Sequence, residues 1–201
     1  QIFRDKYDIF ISNAILFPHE SKKRDELFVT KKIISTLSRI SQGSSEKLML
    51  GNIDVVRDWG HADEYMDAMI LISKQNKPDD YCICTSYGMS VREILEYALN
   101  YFNLDFNKHV EIDDSLLRYK EYDSIIGDNS RIKNQLGWKP KFYGEKLVKR
   151  LIQEELIKWW GIKIQIIFDH QKFTQQKYGG ITRYFFHLAD EFHKLNEDIQ
   201  I

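Results

Sequence analysis

LGNIDVVRDWGHADEY, residues 50–65, places a cluster of polar residues between a strand-like run and a helix-like run. The apolar residues of 48–56 predict a strand that ends just before Arg57. Tyr65, Met66, Met69 and Ile70 recur at helical spacing, so residues 62–73 predict a helix with this stripe buried in the core. A strand that leads into a helix is a unit from which α/β proteins are built.

Arg57 is the first candidate functional residue, because it lies at the junction between this strand and this helix. A guanidinium there suits an anionic ligand, since its planar fork can grip phosphate oxygens and its charge persists at any physiological pH. The N-terminus of the helix adds a partial positive charge. The alternative is that Arg57 and Asp58 only brace the turn through local hydrogen bonds. The sequence leaves both interpretations open.

The composition limits the class of protein. The chain has 201 residues, 43% of them hydrophobic, which is enough for one domain or two small ones with a core. Its 29 basic and 30 acidic residues nearly cancel, so we expect no attraction to nucleic acid or to an anionic membrane surface. No apolar run approaches the roughly 18 residues of a transmembrane helix, and no signal peptide is recognised.

The two cysteines indicate a reducing compartment. Cys82 and Cys84 alternate within an apolar run, which suits neither a zinc knuckle nor a disulfide scaffold. We therefore expect two buried thiols and a cytoplasmic protein. The sequence His19-Glu-Ser lacks the second histidine of a zinc-binding helix, so no metal site is expected.

Other segments read as alternating strands and helices. Residues 7–17 form a nearly continuous apolar run, which predicts a strand covered on both faces in a parallel, Rossmann-type sheet. Residues 28–41 predict a helix that ends before Gly43, and its two early cations, Lys31 and Lys32, hint at a nearby anion. Further predicted elements are a strand at 81–85 and helices at 90–102, 130–136 and 143–160, the first of these opened by a Ser90–Glu93 capping box.

The segment RDWGHADEYMDAM resembles the RDWGHA segment of GDP-mannose 4,6-dehydratases, which are extended short-chain dehydrogenase/reductases. Four further pieces follow the family order, namely NAILFPHES (13–21), FVTKKI (28–33), SVRE (90–93) and GWKP (137–140). For residues 1–160 the resemblance implies the C-terminal portion of such an enzyme, with a partial Rossmann-type sheet and the smaller α/β substrate-binding domain. The expected fold class is therefore α/β.

The resemblance also implies site residues. His19 and Arg24 occupy family positions that contact the cofactor NADP, although Lys22 and Lys23 replace the usual Pro-Arg between them. Family positions that bind the nucleotide sugar are occupied by Asn13, Val29, Lys32, Arg57, Arg118 and Glu121.

Within this set, the resemblance assigns the diphosphate to Arg57 and Arg118 and the ribose hydroxyls to Glu121. The chemistry fits, because an ionised carboxylate accepts from both hydroxyls while two guanidiniums can clamp a pyrophosphate. The alternative for Arg118 and Glu121 is a structural ion pair between residues three apart.

The implied reaction converts GDP-mannose to GDP-4-keto-6-deoxymannose and water, with NADP taking a hydride from C4 and returning it at C6. The family's catalytic Tyr, Lys, Thr and Glu are expected upstream of Gln1, so we expect no catalytic residue in this chain and no turnover by it alone. Two alternatives remain, namely a related nucleotide-sugar reductase or epimerase, and a non-catalytic nucleotide-sugar binding module attached to a glycosyltransferase. Family members form homo-oligomers, either dimers or tetramers.

Residues 161–201 have a different character. Their apolar run, the pair Gly179-Gly180 and a following amphipathic run predict a strand, a glycine turn and a helix. This β-α unit resembles the start of a family 4 glycosyltransferase. We expect a boundary near Trp160, with a second, partial domain that packs poorly on the first.

Overall fold

The computed structural model describes residues 2–7, 9–117 and 121–159. The chain divides into two compact units, Gln1–Lys158 and Trp159–Ile201, and the description below concerns the first. Arg118 and the strand, glycine turn and helix predicted for 161–201 lie outside the described residues.

The described elements alternate between helices and short strands. The helices are α1 (Ile2–Tyr7), α2 (Val29–Ser41), α3 (Ala62–Ser73), α4 (Val91–Phe102), α5 (Phe106–His109), α6 (Ser130–Leu136) and α7 (Gly144–Trp159), with a 3-10 turn at Asp114–Leu116. The strands are β1 (Asn13–Leu16), β2 (His19–Glu20), β3 (Leu48–Leu50), β4 (Val56–Asp58), β5 (Gly60–His61), β6 (Asp80–Ile83), β7 (Gly88–Ser90), β8 (Val110–Ile112) and β9 (Ser124–Ile125).

Most strand pairs are parallel. β1 pairs with β6, β2 with β5 and β3 with β8, each in parallel orientation. β4 lies between β7, which is antiparallel to it, and β9, which is parallel. The α/β class predicted from the sequence is confirmed.

Two hydrophobic clusters form the core. In the larger one, α2 packs against α4, and α7 contributes Leu147, Val148, Leu151 and Ile152. The face of α2 predicted from its spacing, Ile33, Ile34, Leu37 and Ile40, is buried as expected. The smaller cluster joins α3, β6 and α6 around Tyr65, Ile83, Ile132 and Trp138. The helix α3, which begins within the 50–65 stretch, therefore packs in the smaller cluster.

Two local signals correctly predicted where a helix begins or ends. Ser90 Oγ accepts from Glu93 N at 3.1 Å while Ser90 N donates to Glu93 Oε2 at 2.6 Å, which is the predicted capping box. Gly137 ends α6 with a φ of 71°, in the left-handed region that glycine adopts without strain.

No described helix is long and apolar enough to cross a membrane.

Two strand predictions were wrong in extent. The single strand expected over 48–56 is divided into β3, whose pairing with β8 ends at Leu50, and β4. Between them, Leu116 approaches Gly51 so closely that a Cβ there would lie 2.8 Å from Leu116 O. The strand expected over 7–17 shrinks to β1, and within the described residues it pairs only with β6. Ile15 and Leu16 of β1 are exposed, so this strand is not covered on both faces.

The predicted stripe of α3 was wrong in three of four positions. Tyr65 is fully buried, but Met66, Met69 and Ile70 are 42%, 39% and 53% exposed. The buried face is formed by Tyr65, Ala68 and Ile72 instead. Tyr65 sets this rotation because its ring packs edge-on against Trp138 and so closely over Gly60 that a Cβ there would be 2.3 Å from it.

Candidate functional site

A cavity of about 420 Å³ lies at the N-terminal end of α2. Its walls come from the segment before α2, the first turn of α2, β3, β4 and the segment around Glu121. Five of the residues predicted from the sequence line it, namely Arg24, Val29, Lys32, Arg57 and Glu121. The structure thus brings together side chains that are up to 97 positions apart in the chain, since residue 121 minus residue 24 is 97. A cavity of this size is in the range of small-molecule sites.

Arg57 and Glu121 face each other in this cavity. Arg57 Nη2 donates to Glu121 Oε1 at 3.1 Å, and Arg57 Nη1 donates to Val56 O at 2.8 Å. The two side chains are 15% and 20% exposed, so the pair is partly shielded from water. Glu121 therefore pairs with Arg57 in the structure, while the alternative pairing with Arg118 falls on a residue that is not described.

Asp58, the residue after Arg57, is fixed by long-range hydrogen bonds whose partners could not be identified from the sequence. Its Oδ1 accepts from Thr85 N at 2.8 Å and from Thr85 Oγ1 at 2.5 Å. Its Oδ2 accepts from Ser86 N at 2.8 Å and from Gly127 N at 3.2 Å. The carboxylate is fully buried and satisfied by four donors. The hydrogen bonds of Asp58 therefore join distant segments and are not a local brace of the turn. Arg57 makes one local bond, to Val56 O, and its side chain also lines the cavity.

The first turn of α2 supplies partial positive charge to the same cavity. Phe28 occupies the N-cap position without a side-chain hydrogen bond, and the first turn contains no acidic residue. The first backbone N–H groups of a helix have no partner within it, so an uncapped N-terminus attracts anions. Val29, Thr30 and Lys32 of this turn line the cavity.

The two lysines of this turn have different roles. Lys31 is buried, contacts the carboxylate of Glu155 and donates to Lys22 O at 3.3 Å. Its charge is therefore already engaged inside the protein. Lys32 instead lines the cavity, so the anion hint in the sequence applies to this residue alone.

Arg24 and His19, the predicted cofactor contacts, lie in different environments. The Arg24 guanidinium stacks on the Phe28 ring, with Cζ 3.4 Å from the ring centroid, and borders the cavity. His19 does not line it. Its Nδ1 lies 2.9 Å from Phe17 O, which assigns the proton to Nδ1, and its ring lies 5.3 Å from that of Tyr65.

Asn13 lies outside the cavity. Its Nδ2 donates to Asp80 Oδ1 at 2.6 Å, at the point where β1 and β6 begin to pair. This amide supports the strand pair, and the residues that the structure describes include no link from it to Arg57 or Lys32.

Charged groups also fasten α7 to the 50–65 stretch. His61 Nδ1 accepts from Asp63 N, and its Nε2 lies 3.1 Å from Glu154 Oε1. Burial raises the pKa of Glu154, but the hydrogen bonds from Arg150 and His61 and the charge interactions with both residues together lower it more, so the pKa lies below its usual value. Glu154 also accepts from Lys22 N at 3.3 Å. The segment before α2 and the α3 N-terminus are thereby tied to one helix.

A larger cavity of about 650 Å³ lies elsewhere, between α1 and the start of β6. Its two arginines are already paired with two of its three carboxylates, Arg4 with Asp80 and Arg131 with Asp79. Arg57 and Arg24 of the smaller cavity are paired with carboxylates as well, but this cavity also has an uncapped helix N-terminus and Lys32. We therefore regard it as the candidate site for an anionic ligand.

Solved structures with this fold define the class. RMD from Pseudomonas aeruginosa, complexed with NADPH, matches 78% of this chain and 52% of its own with a TM-score of 0.69 and 19% identity. dTDP-glucose 4,6-dehydratase from Bacillus anthracis, in complex with NAD, matches 79% of this chain and 49% of its own with a TM-score of 0.67 and 15% identity. The similarity shows that this chain shares the Rossmann-type α/β fold of these two proteins.

The family follows from the sequence match. Residues 1–151 match the profile of the family described as GDP-mannose 4,6 dehydratase, and the chain belongs to this family. GDP-mannose 4,6 dehydratase 1 of Arabidopsis thaliana is 47% identical over 77% of this chain and 43% of its own length. The Homo sapiens GDP-mannose 4,6 dehydratase is 34% identical over 77% of this chain and 46% of its own. The chain thus spans less than half the length of these curated relatives, and the family predicted from the RDWGHA segment is confirmed.

Proposed function

We propose that this chain forms the nucleotide-sugar binding part of an NADP-dependent GDP-mannose 4,6-dehydratase, which converts GDP-mannose to GDP-4-keto-6-deoxymannose and water. The observation that carries the proposal is the convergence of Arg57, Glu121, Lys32 and the uncapped N-terminus of α2 on one cavity. The identity of 47% with a GDP-mannose 4,6 dehydratase supports the choice of substrate.

The geometry suits a nucleoside diphosphate. Arg57 and Lys32 can donate charge-assisted hydrogen bonds to the diphosphate, and the α2 N-terminus can add backbone donors. Glu121 can accept from the ribose hydroxyls while it keeps its bond to Arg57, because a carboxylate offers about four acceptor sites. The Arg57–Glu121 pair therefore holds both groups in position before the ligand arrives.

Arg24 fits a role in binding NADP, which when bound supplies the hydride acceptor for oxidation of the sugar. The Nε of Arg24 is buried and lies 3.5 Å from Glu20 Oε2 in an ion pair, but it has no hydrogen-bond partner among the described residues, so it retains an N–H donor. His19 keeps its Nε2 as an acceptor, because its proton lies on Nδ1.

The remaining predictions belong with this proposal. Cys82 and Cys84 are free thiols, which supports a cytoplasmic location. Residues 161–201 lie beyond the matched residues 1–151. The strand, glycine turn and helix predicted for them support the proposal that they form the start of a family 4 glycosyltransferase domain. A homo-oligomer of the complete enzyme stays a prediction.

Calorimetric titration tests the proposal. We expect GDP-mannose to bind the chain one to one, at least about tenfold more tightly than UDP-glucose or dTDP-glucose, and Lys32→Ala to weaken it about tenfold by removing one charge-assisted hydrogen bond. Lys47→Ala is the matched control, because Lys47 is exposed, pairs with exposed Glu111 and lies outside the cavity. Equal affinities for the three nucleotide sugars, or an effect of Lys47→Ala equal to that of Lys32→Ala, would contradict the proposal.

A further inference from the structure

Three polar atoms in the wall of the same cavity have no hydrogen-bond partner among the described residues. They are Glu20 Oε2, Arg24 Nε and Thr30 Oγ1. The residues Glu20 and Thr30 are only 3% and 2% exposed. Buried polar side chains are nearly always paired, because an unpaired one loses its bonds to water without replacement. Buried polar groups without hydrogen bonds that collect around one cavity therefore indicate a ligand that can form those bonds.

The chemistry of Glu20 limits what that ligand group can be. Its Oε2 lies 3.5 Å from Arg24 Nε, which gives an ion pair but not a hydrogen bond. A carboxylate accepts hydrogen bonds and repels phosphate, so the group that faces it must carry O–H or N–H donors. Thr30 adds a hydroxyl that both donates and accepts. One strong acceptor beside one hydroxyl matches neighbouring hydroxyls on a sugar ring.

Both side chains are held by regular structure. Glu20 lies in β2, where it pairs with His61 of β5, and Thr30 lies in the first turn of α2. The cationic groups of the cavity, Arg57 and Lys32, are contributed by β4 and by the same turn of α2. The cavity thus offers one set of groups for an anion and a separate set for hydroxyls.

We propose that Glu20 and Thr30 bind the ring hydroxyls of the hexose and so determine which sugar the site accepts. This proposal rests on the function proposed above, in which the cavity binds a nucleoside diphosphate sugar. A ribose of the dinucleotide cofactor presents the same hydroxyl chemistry, so the experiment includes that ligand.

The test is calorimetric titration of the 201-residue chain with GDP-mannose, GDP and NADPH. Glu20→Gln and Thr30→Val should each lower the affinity for GDP-mannose about tenfold. The affinity for GDP should change less than about twofold, because GDP lacks the hexose. The matched control is Glu111→Gln, an exposed carboxylate outside the cavity, which should leave both affinities unchanged.

Each other outcome counts against the proposal. If the affinities for GDP and GDP-mannose fall equally, Glu20 and Thr30 do not contact the hexose. If only the affinity for NADPH falls, Glu20 and Thr30 bind the cofactor instead. If GDP binds and both variants behave like the parent chain, only this proposal fails, whereas absence of GDP binding to the parent chain overturns the proposed function as well.

Thermal unfolding separates ligand binding from a structural role. Thr30→Val replaces an unpaired buried hydroxyl by a methyl group of similar shape, so Tm should stay constant or rise while the affinity for GDP-mannose falls. A lower Tm with unchanged affinity would show a structural hydroxyl and overturn the proposal. This variant also keeps the test decisive if Glu20→Gln fails to fold.

Discussion

Replacement of Asp58 by Asn should lower the free energy of unfolding by about 3–5 kcal/mol, because a fully buried carboxylate with four hydrogen-bond donors loses its charge. The amide group of Asn would also direct its own N–H bonds at some of those donors. Urea denaturation followed by tryptophan fluorescence measures the change through the shift in midpoint.

The control for this prediction is Asp54→Asn. Asp54 lies close to Asp58 in sequence and pairs with Arg92, but both side chains are exposed, so the unfolding midpoint should be nearly unchanged. A midpoint for Asp58→Asn that matches the Asp54→Asn control would mean that the four hydrogen bonds do not stabilise the fold.

Replacement of Arg57 by Ala should lower the affinity for GDP-mannose about 100-fold or more. The substitution removes a guanidinium that can form two charge-assisted hydrogen bonds to phosphate, and it leaves Glu121 unpaired beside the diphosphate. Arg57→Lys keeps the charge but not the planar fork, so we expect an intermediate loss of about tenfold. Calorimetric titration measures both.

Two further variants test this explanation of the Arg57 effect. Arg92→Ala removes an exposed arginine outside the cavity and should not change the affinity. Arg57→Ala combined with Glu121→Gln should bind better than Arg57→Ala alone, because the unpaired negative charge is gone. Affinities for Arg57→Ala within threefold of the parent chain would remove Arg57 from the site.

The sequence was informative where the signal is local. The spacing of Ile33, Ile34, Leu37 and Ile40 predicted the buried face of α2, and the Ser90–Glu93 pair predicted the start of α4. Both signals depend on residues within one or two helical turns. The RDWGHA segment predicted the family because five short motifs occur in one order.

What the sequence missed depends on contacts between distant segments. The donors to Asp58 come from Thr85, Ser86 and Gly127, which follow it by 27, 28 and 69 positions. The rotation of α3, which exposes Met66 and Ile70, depends on Trp138 in another part of the chain. Glu20 and Thr30 carry no local signal either, since their significance is that neither Oε2 nor Oγ1 has a partner within the described part of the fold.

The central claim is that one cavity, bordered by Arg57 and the first turn of α2, binds the diphosphate of a nucleotide sugar. A crystal structure of the chain with GDP-mannose tests it most directly. We predict phosphate oxygens within hydrogen-bond distance of the Arg57 guanidinium and of Lys32 Nζ. A ligand seated instead in the larger cavity beside Arg4 and Arg131, or a diphosphate that does not contact Arg57, would contradict the claim.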